Sequence, residues 1–218
     1  NNRIEIRFSN AFRTNKQEVI QDHYGYHLAN MSDYGAIFAC PPEEDPDQSQ
    51  EEDALQKFMK DESKYRGSVV LYHAFTPTDK NRHPPNETFQ MVLSHSEEVT
   101  SVACGLGWCA ITTSKNFLRI FSTTGIQLSI MKLDGDIVSM TGDEHKLAVV
   151  YNNSLPIYRH TPSLAVDIYN ITDTSSTKIQ MLVKNKTVPI TKESLLQWIG
   201  FDCTDGGFMV YDTQGVLC

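Results

Sequence analysis

Residues 99–133 have the sequence VTSVACGLGWCAITTSKNFLRIFSTTGIQLSIMKL. Apolar residues recur within it in strand-sized runs, and the turns at Gly105–Gly107 and Thr124–Gly125 separate these runs. Four strands are predicted, over Val99–Cys104, Trp108–Thr112, Phe117–Phe121 and Ile126–Leu133. Four short strands joined by tight turns in 35 residues correspond to one blade of a β-propeller.

The same unit recurs on both sides of this stretch. The predicted blades cover about residues 24–94, 98–133 and 136–184, and a fourth, at about 194–218, is truncated. Their second strands carry matching small and branched residues, at Ala36-Ile37, Ala110-Ile111, Ala148-Val149 and Met209-Val210. Such residues pack well between neighbouring blades. The fold class is therefore predicted as all-β, a partial β-propeller in which residues 1–218 belong to one domain.

Other segments precede or interrupt the repeated unit. Residues 3–8 alternate apolar and polar side chains and predict a leading strand, followed by a polar connection to about His23. Residues 41–67 are predicted as a long insertion in the first blade, and residues 152–163 as a smaller, proline-containing one. Within the longer insertion, residues 51–60 combine an apolar stripe with acids at the start and lysines near the end. This pattern predicts a short helix, either packed on the propeller rim or available to a partner.

The formal net charge of −8 is concentrated in one segment. Residues 43–53 hold seven acids and no base, a composition typical of a solvated loop. The other residues carry a net charge of only −1, whereas binding to duplex DNA requires clustered Lys and Arg. The sequence therefore argues against a nucleic-acid footprint, and it leaves direct DNA contact open.

The cysteines indicate a reducing compartment. Five are present, an odd number, and none forms a Cys-x-x-Cys pair. Cys40, Cys104 and Cys109 lie within apolar strand patterns, where a reduced cysteine packs as a small hydrophobic side chain. The apolar runs are too short to cross a membrane. A cytosolic or nuclear protein without a membrane span is predicted.

The sequence contains no recognisable catalytic, cofactor-binding or metal-binding motif. Of the seven histidines, only His23 and His27 lie four residues apart, and in strand sequence that spacing is too wide for a shared metal. Cys109 with His145 is one conceivable nucleophile and base, but the apolar neighbours of Cys109 predict burial. The chain is therefore predicted not to be an enzyme and to use no cofactor or metal.

Four blocks of sequence resemble one known family. They follow in family order over most of the chain, apart from the insertion at 41–67 and the loop near 152–163. The blocks are Val102–Ala110 with Leu118–Phe121 and Thr124–Gln127, Val138–Gly142 with Leu147–Tyr151, Pro189–Lys192 with Leu196–Phe201, and more faintly Ile4–Phe8. The chain resembles the central, SepB-type β-propeller of the acidic nucleoplasmic DNA-binding protein family, whose fungal members are the chromosome transmission fidelity adaptors.

The resemblance implies a nuclear, non-enzymatic scaffold of the replisome. It implies a homotrimer of propellers, of which this chain holds about 3.5 of six blades. The implied partners are GINS of the replicative helicase, the catalytic subunit of DNA polymerase alpha and other client proteins, with a role in sister chromatid cohesion. The family captures client helices in the groove of a helical bundle outside residues 1–218, so no protein-interaction residue is assigned here. Because a partial ring has open edges, the native protein is expected to continue beyond Cys218.

The residues alone leave three alternatives. An antiparallel sandwich has similar strand patterns. A propeller adaptor of an unrelated complex, such as a coat or a ubiquitin ligase, fits the blade pattern as well. A propeller hydrolase with a site in the central channel would need inward-facing His and acid residues, for which Asp136 and His145 are the nearest candidates.

Overall fold

The computed structural model of the chain describes residues 2–9, 17–43, 66–75, 86–158, 161–172 and 178–218. These residues form sixteen β-strands and contain no helix. Accordingly, no helix able to cross a membrane occurs in the described ranges. Within each sheet, every strand pairs antiparallel with the strands next to it in sequence, and the polypeptide therefore builds its sheets one after another.

The strands assemble into five sheets, numbered in chain order. Sheet 1 contains β1 (Asn2–Arg7) and β2 (Gln17–Asp22). Sheet 2 contains β3 (Leu28–Met31), β4 (Gly35–Cys40), β5 (Val69–Ala74) and β6 (Phe89–Val92). Sheet 3 contains β7 (Val99–Cys104), β8 (Trp108–Thr113), β9 (Phe117–Ser122) and β10 (Gln127–Lys132). Sheet 4 contains β11 (Ile137–Asp143), β12 (Lys146–Tyr158), β13 (Thr161–Thr172) and β14 (Lys178–Thr187), and sheet 5 contains β15 (Leu196–Phe201) and β16 (Phe208–Asp212).

Sheets 3, 4 and 5 share an irregularity at the start of their first strands. In each sheet, one extra residue interrupts the pairing directly after the first residue, at Thr100, Val138 and Gln197 respectively. Such a β-bulge bends the strand and increases its twist. Its recurrence at one position indicates that the sheets fold alike, as the repeated sequence pattern predicts.

Consecutive sheets pack face to face, and an apolar cluster lies between each pair. The first strands lie side by side along the stack, β3 against β7, β7 against β11, and β11 against β15. This contact places the sheets around a common axis, as in a propeller. Sheet 3 is buried on both faces, whereas each sheet of a two-layer sandwich buries one face. The fold is a partial β-propeller, and the sandwich alternative is wrong.

The contact between sheets 3 and 4 shows how closely the sheets approach. Trp108 is 1% exposed, and its Nε1 donates a hydrogen bond to the backbone carbonyl of Glu144 at 2.8 Å. Gly105 and Gly142 enclose the indole ring, since a Cβ atom on either would lie within 3 Å of it. Only glycine leaves this space, so both positions serve the packing of one tryptophan.

Two sequence predictions about connections are wrong. The segment predicted as a polar connection up to His23 contains β2, which pairs with β1 along its whole length. The insertion predicted at 152–163 is instead the far end of an extended hairpin, because β12 and β13 continue into it. Both segments are polar or proline-containing, and edge strands and hairpin ends tolerate such residues.

Sheet 2 begins later than the sequence predicts. The Oδ1 atom of Asp22 accepts hydrogen bonds from the backbone N–H groups of Tyr24, Gly25 and Tyr26. These bonds close a turn at the end of β2. The first strand, predicted from residue 24, therefore starts at Leu28.

Most of the long insertion lies outside the described residues. This applies to the predicted helix at 51–60 and to the acidic run at 43–53 except for Glu43. The helical insertion and the assignment of residues 1–218 to one domain stay predictions.

Candidate interaction surfaces

The structure separates the two candidates for a hydrolase site. Asp136 and His145 flank opposite ends of β11, so about 25 Å of strand lies between them at roughly 3.3 Å per residue. Oδ1 of Asp136 accepts a hydrogen bond from Nδ2 of Asn116 at 3.2 Å. A reaction centre requires its groups within hydrogen-bond reach. These two residues therefore do not form one.

Cys109 and His145 lie on different sides of sheet 3. Cys109 belongs to the apolar cluster shared with sheet 2, whereas His145 follows Glu144, which contacts the opposite face through Trp108. Burial raises the pKa of the Cys109 thiol well above its ordinary value, and it raises that of Cys104 to about 12. Both thiols are protonated at neutral pH and inert as nucleophiles. The predicted burial of Cys40, Cys104 and Cys109 is confirmed.

His23 and His27 lie in the connection between β2 and β3 rather than in a strand. The His23 ring packs edge-on against Tyr24, with 6.4 Å between the ring centroids. Across the part of the chain that the structure describes, no group of three or more potential ligands could hold a metal ion. That the chain uses no metal stays a prediction.

Sequence analysis missed a buried carboxylate within sheet 4. Asp167 is 3% exposed and accepts hydrogen bonds from the hydroxyls of Tyr151 and Tyr169, at 3.0 and 3.2 Å. It also accepts one from the backbone N–H of Asn185, at 2.7 Å. Burial, with Asp167 adding to it, raises the pKa of both tyrosines, so both remain donors. The lone acid within an apolar strand run is the signal that could have revealed this network.

A second polar contact fastens the connection before β7. Glu97 accepts hydrogen bonds from Nε and Nη2 of Arg119, at 3.1 and 2.7 Å, in a forked ion pair. Burial opposes ionisation of Glu97, but the hydrogen bonds and charge of Arg119 hold its pKa below the ordinary value. Two bonds in one plane fix the relative position of the groups. Both networks thus hold strands and connections in place.

The outer face of sheet 5 exposes large apolar side chains. Trp198, Tyr211 and Leu217 are 48%, 36% and 59% exposed. Trp198 and Tyr211 are direct cross-strand partners, and Tyr211 also forms a bridge with Leu217. The opposite face of the sheet packs on sheet 4 through Ile199 and Val210. A contiguous exposed apolar face of this kind marks an interaction site.

An apolar pocket opens at the other end of the stack. It has a volume of about 370 Å³ and lies between sheets 1 and 2. The lining residues are Ile6, Ala29, Asn30, Met31, Ala36 and Phe38. Met31 is 59% exposed although it belongs to the innermost strand of its sheet. The stack therefore presents an open apolar surface at both ends.

Comparison with known families identifies the chain. The family described as "Minichromosome loss protein, Mcl1, middle region" matches residues 1–218. The chain belongs to this family. The resemblance drawn from the sequence is thereby confirmed at the level of the broader family, and the finer SepB-type assignment stays a prediction.

Two curated relatives show how the match is distributed. Protein ENHANCER OF LHP1 1 of Arabidopsis thaliana is 31% identical over 217 residues, covering 100% of this chain and 19% of the relative. WD repeat and HMG-box DNA-binding protein 1 of Homo sapiens is 29% identical over 125 residues, covering 57% of this chain and 10% of the relative. The chain thus spans less than a fifth of the length of either protein.

A solved structure supports the fold. The crystal structure of HIRA(644-1017) matches 88% of this chain and 50% of that chain, with a TM-score of 0.50 and 12% sequence identity. At this identity the likeness concerns the fold alone. It agrees with the partial propeller derived from the stacking of the sheets.

Proposed function

We propose that this chain is part of a nuclear, non-enzymatic scaffold that acts at the DNA replication fork. The scaffold trimerises and links GINS of the replicative helicase to the catalytic subunit of DNA polymerase alpha and to other clients. Its role in sister chromatid cohesion follows from these links. The chain contributes propeller surface, and the clients bind elsewhere in the polypeptide.

Membership of the Mcl1 middle-region family carries this proposal, because the match extends from residue 1 to residue 218. The family name refers to the loss of minichromosomes, a defect expected when chromosome copying or cohesion fails. A relative with a "WD repeat and HMG-box DNA-binding" name supports a nuclear location. Fold alone would not support the proposal, since propellers serve many unrelated functions.

The character of the surface also supports a scaffold. Exposed apolar faces lie at both ends of the stack, and such faces favour binding to protein. Outside the acidic segment the net charge is −1, which does not favour binding to nucleic acid. We therefore propose protein partners and no catalytic step.

The trimer is tested by light scattering on the full-length polypeptide. We expect a mass three times that of one chain, at a concentration near that in the cell. Three copies would present three client sites, and simultaneous engagement raises the apparent affinity. A strictly monomeric full-length protein would count against the scaffold.

The partners are tested by affinity capture of the full-length protein from cells in S phase, followed by mass spectrometry. GINS subunits and the catalytic subunit of DNA polymerase alpha should dominate the captured proteins. A full-length variant with Trp108→Ala should lose this enrichment, because the substitution disrupts the packing of the propeller and with it the trimer. The matched control Val92→Ala, at an exposed edge position, should keep it. Capture of coat or ubiquitin-ligase components instead would overturn the replisome assignment.

A further inference from the structure

Cys104 and Cys109 face each other across the hairpin of β7 and β8. We propose that this pair is a redox modification site, at which a peroxide closes a disulfide bond between the two strands. In the resting protein both residues are free thiols, as expected in a reducing compartment. The inference rests on the register of the hairpin and does not depend on the replisome role.

The register of the hairpin sets the geometry of the pair. Cys104 and Cys109 are direct partners in the ladder. Next to them, at the turn, the backbone N–H of Gly105 donates a hydrogen bond to the carbonyl of Trp108 at 3.0 Å. Hydrogen-bonded and non-hydrogen-bonded pairs alternate along an antiparallel ladder. The two cysteines therefore form a non-hydrogen-bonded pair.

A contact on the other edge of β7 supports this register. The backbone N–H of Cys104 donates a hydrogen bond to Oδ1 of Asn30 in β3 at 3.1 Å, so it points away from β8. Backbone groups of a non-hydrogen-bonded pair point outwards in this way, and the Cα atoms of such a pair lie about 4.5 Å apart. Disulfides form over Cα separations of about 4.4–6.8 Å. The backbone of the hairpin is therefore already placed for the bond.

Both side chains lie on the same face of sheet 3. They belong to the apolar cluster between sheets 2 and 3, and Cys104 and Cys109 are 1% and 0% exposed. Among the described residues this cluster contains no other cysteine. Each sulfur therefore has one partner within the cluster, and that partner is the opposite cysteine.

The reaction balances with one molecule of peroxide. One sulfur attacks a peroxide oxygen, the O–O bond breaks, and a sulfenic acid and water form. The second sulfur then attacks the first, the S–S bond forms, the S–O bond breaks and a second water leaves. Both thiol protons leave in these waters. The two sulfurs together lose two electrons, and the peroxide gains them.

Burial sets the rate of this reaction. It raises the pKa of both thiols, which keeps them protonated at neutral pH, and a protonated thiol reacts slowly. Oxidation therefore proceeds through local opening of the hairpin, in which the sulfurs reach water. The pair stays reduced under ordinary conditions and responds to sustained exposure to peroxide.

The disulfide changes the contact between sheets 2 and 3. In the reduced protein, Sγ of Cys104 donates to Oδ1 of Asn30 at 3.5 Å and to the carbonyl oxygen of Gly35 at 3.7 Å. These acceptors lie in β3 and at the start of β4. A disulfide sulfur has no proton to donate. Oxidation therefore removes both contacts and weakens the attachment of the hairpin to sheet 2.

Mass spectrometry of the full-length protein tests the site. The native protein is treated with hydrogen peroxide, unfolded in excess N-ethylmaleimide and digested with trypsin. Both cysteines stay on one peptide, because no Lys or Arg lies between them. We expect this peptide to lack two hydrogens and to carry no maleimide, and to take up two maleimides only after reduction.

The chain supplies matched controls for this experiment. In Cys104→Ser and in Cys109→Ser, the remaining cysteine should form no disulfide within the peptide. Cys40 is also 1% exposed but lies opposite Val69, so it should take up maleimide without reduction. The proposal is overturned if the pair keeps both thiols after peroxide has fully oxidised the exposed Cys203. It is also overturned if the bond forms only in protein that was unfolded before treatment.

Hydrogen exchange measures the effect on sheet 2. We expect peptides that cover β3 and β4 to exchange at least about twofold faster once the disulfide has formed, because their contact with the hairpin opens more often. Peptides that cover β16 should not change. Cys109→Ser, treated with peroxide in the same way, should also show no change in β3 and β4. Equal exchange in the oxidised and reduced proteins would contradict the effect on the contact between the sheets.

Discussion

Sheets 3 and 5 are built alike, yet their tryptophans have opposite surroundings. Both first strands carry the same bulge, and both sheets present apolar side chains on two faces. Trp108 is 1% exposed because sheet 4 covers it, whereas Trp198 is 48% exposed because no described sheet covers that face of sheet 5. Burial in this fold therefore depends on the neighbouring sheet more than on the strand itself. Substituting each tryptophan therefore measures how much a covering sheet contributes to the free energy of unfolding.

The largest expected effect is at the covered tryptophan. Trp108→Ala removes a fully packed ring from between sheets 3 and 4 and leaves a cavity. We expect the free energy of unfolding to fall by about 3–5 kcal/mol, measured by urea denaturation. A loss below about 1 kcal/mol would show that the covering sheet contributes little to stability, and it would contradict the comparison between Trp108 and Trp198.

Asp167 tests the buried hydrogen bonds within sheet 4, the sheet that covers Trp108. Asp167→Ala leaves the hydroxyls of Tyr151 and Tyr169 and the N–H of Asn185 without their acceptor. We expect a loss of about 3 kcal/mol in the same assay, since buried donors without partners are costly. Asp167→Asn keeps one acceptor oxygen and should lose less. Equal losses for the two variants would mean that packing, and not hydrogen bonding, sets the effect.

The ion pair between Glu97 and Arg119 tests the attachment of the connection before β7 to sheet 3, and its effect depends on pH. The pKa of Glu97 lies below the ordinary 4.5 in the folded protein, so the stabilisation is complete above that value. It is lost as the pH falls through the lowered pKa. We expect Glu97→Gln to cost about 2 kcal/mol at pH 7 and progressively less in acid. A difference from the original protein that does not change with pH would exclude the charge as its cause.

The smallest effect is expected at the open tryptophan. Trp198→Ala should change the free energy of unfolding of residues 1–218 by less than about 1 kcal/mol, because half of the ring is already in water. In the full-length polypeptide, the same substitution should cost several times more if a further sheet covers this face. Similar small losses in both proteins would show that nothing packs on sheet 5.

Much of the architecture follows from local sequence. The pattern in residues 99–133 predicts β7 residue for residue and the other three strands of sheet 3 to within one or two. The strand β8 is buried at every residue and β7 and β9 are largely buried, so their apolar residues leave a dense signal. The strand β2 gives no comparable signal, since it buries only Ile20 while Gln17 and Gln21 are exposed. Asp167 was missed for the opposite reason, because burial of its charge depends on donors from the two neighbouring strands, β12 and β14, and from its own strand.

The sequence by itself determined the strands, their turns and their recurrence, because alternation and turn residues act over a few positions. The order of the four sequence blocks also indicated the family. Only the tertiary structure decided which faces are covered, since Trp108 and Trp198 are equally apolar in sequence and differ in what lies above them. It also decided that Asp136 and His145 lie apart and that a pocket opens beside Ile6 between sheets 1 and 2. Coverage comes from the neighbouring sheet, and the local pattern of a strand does not contain the side chains that another sheet places against it.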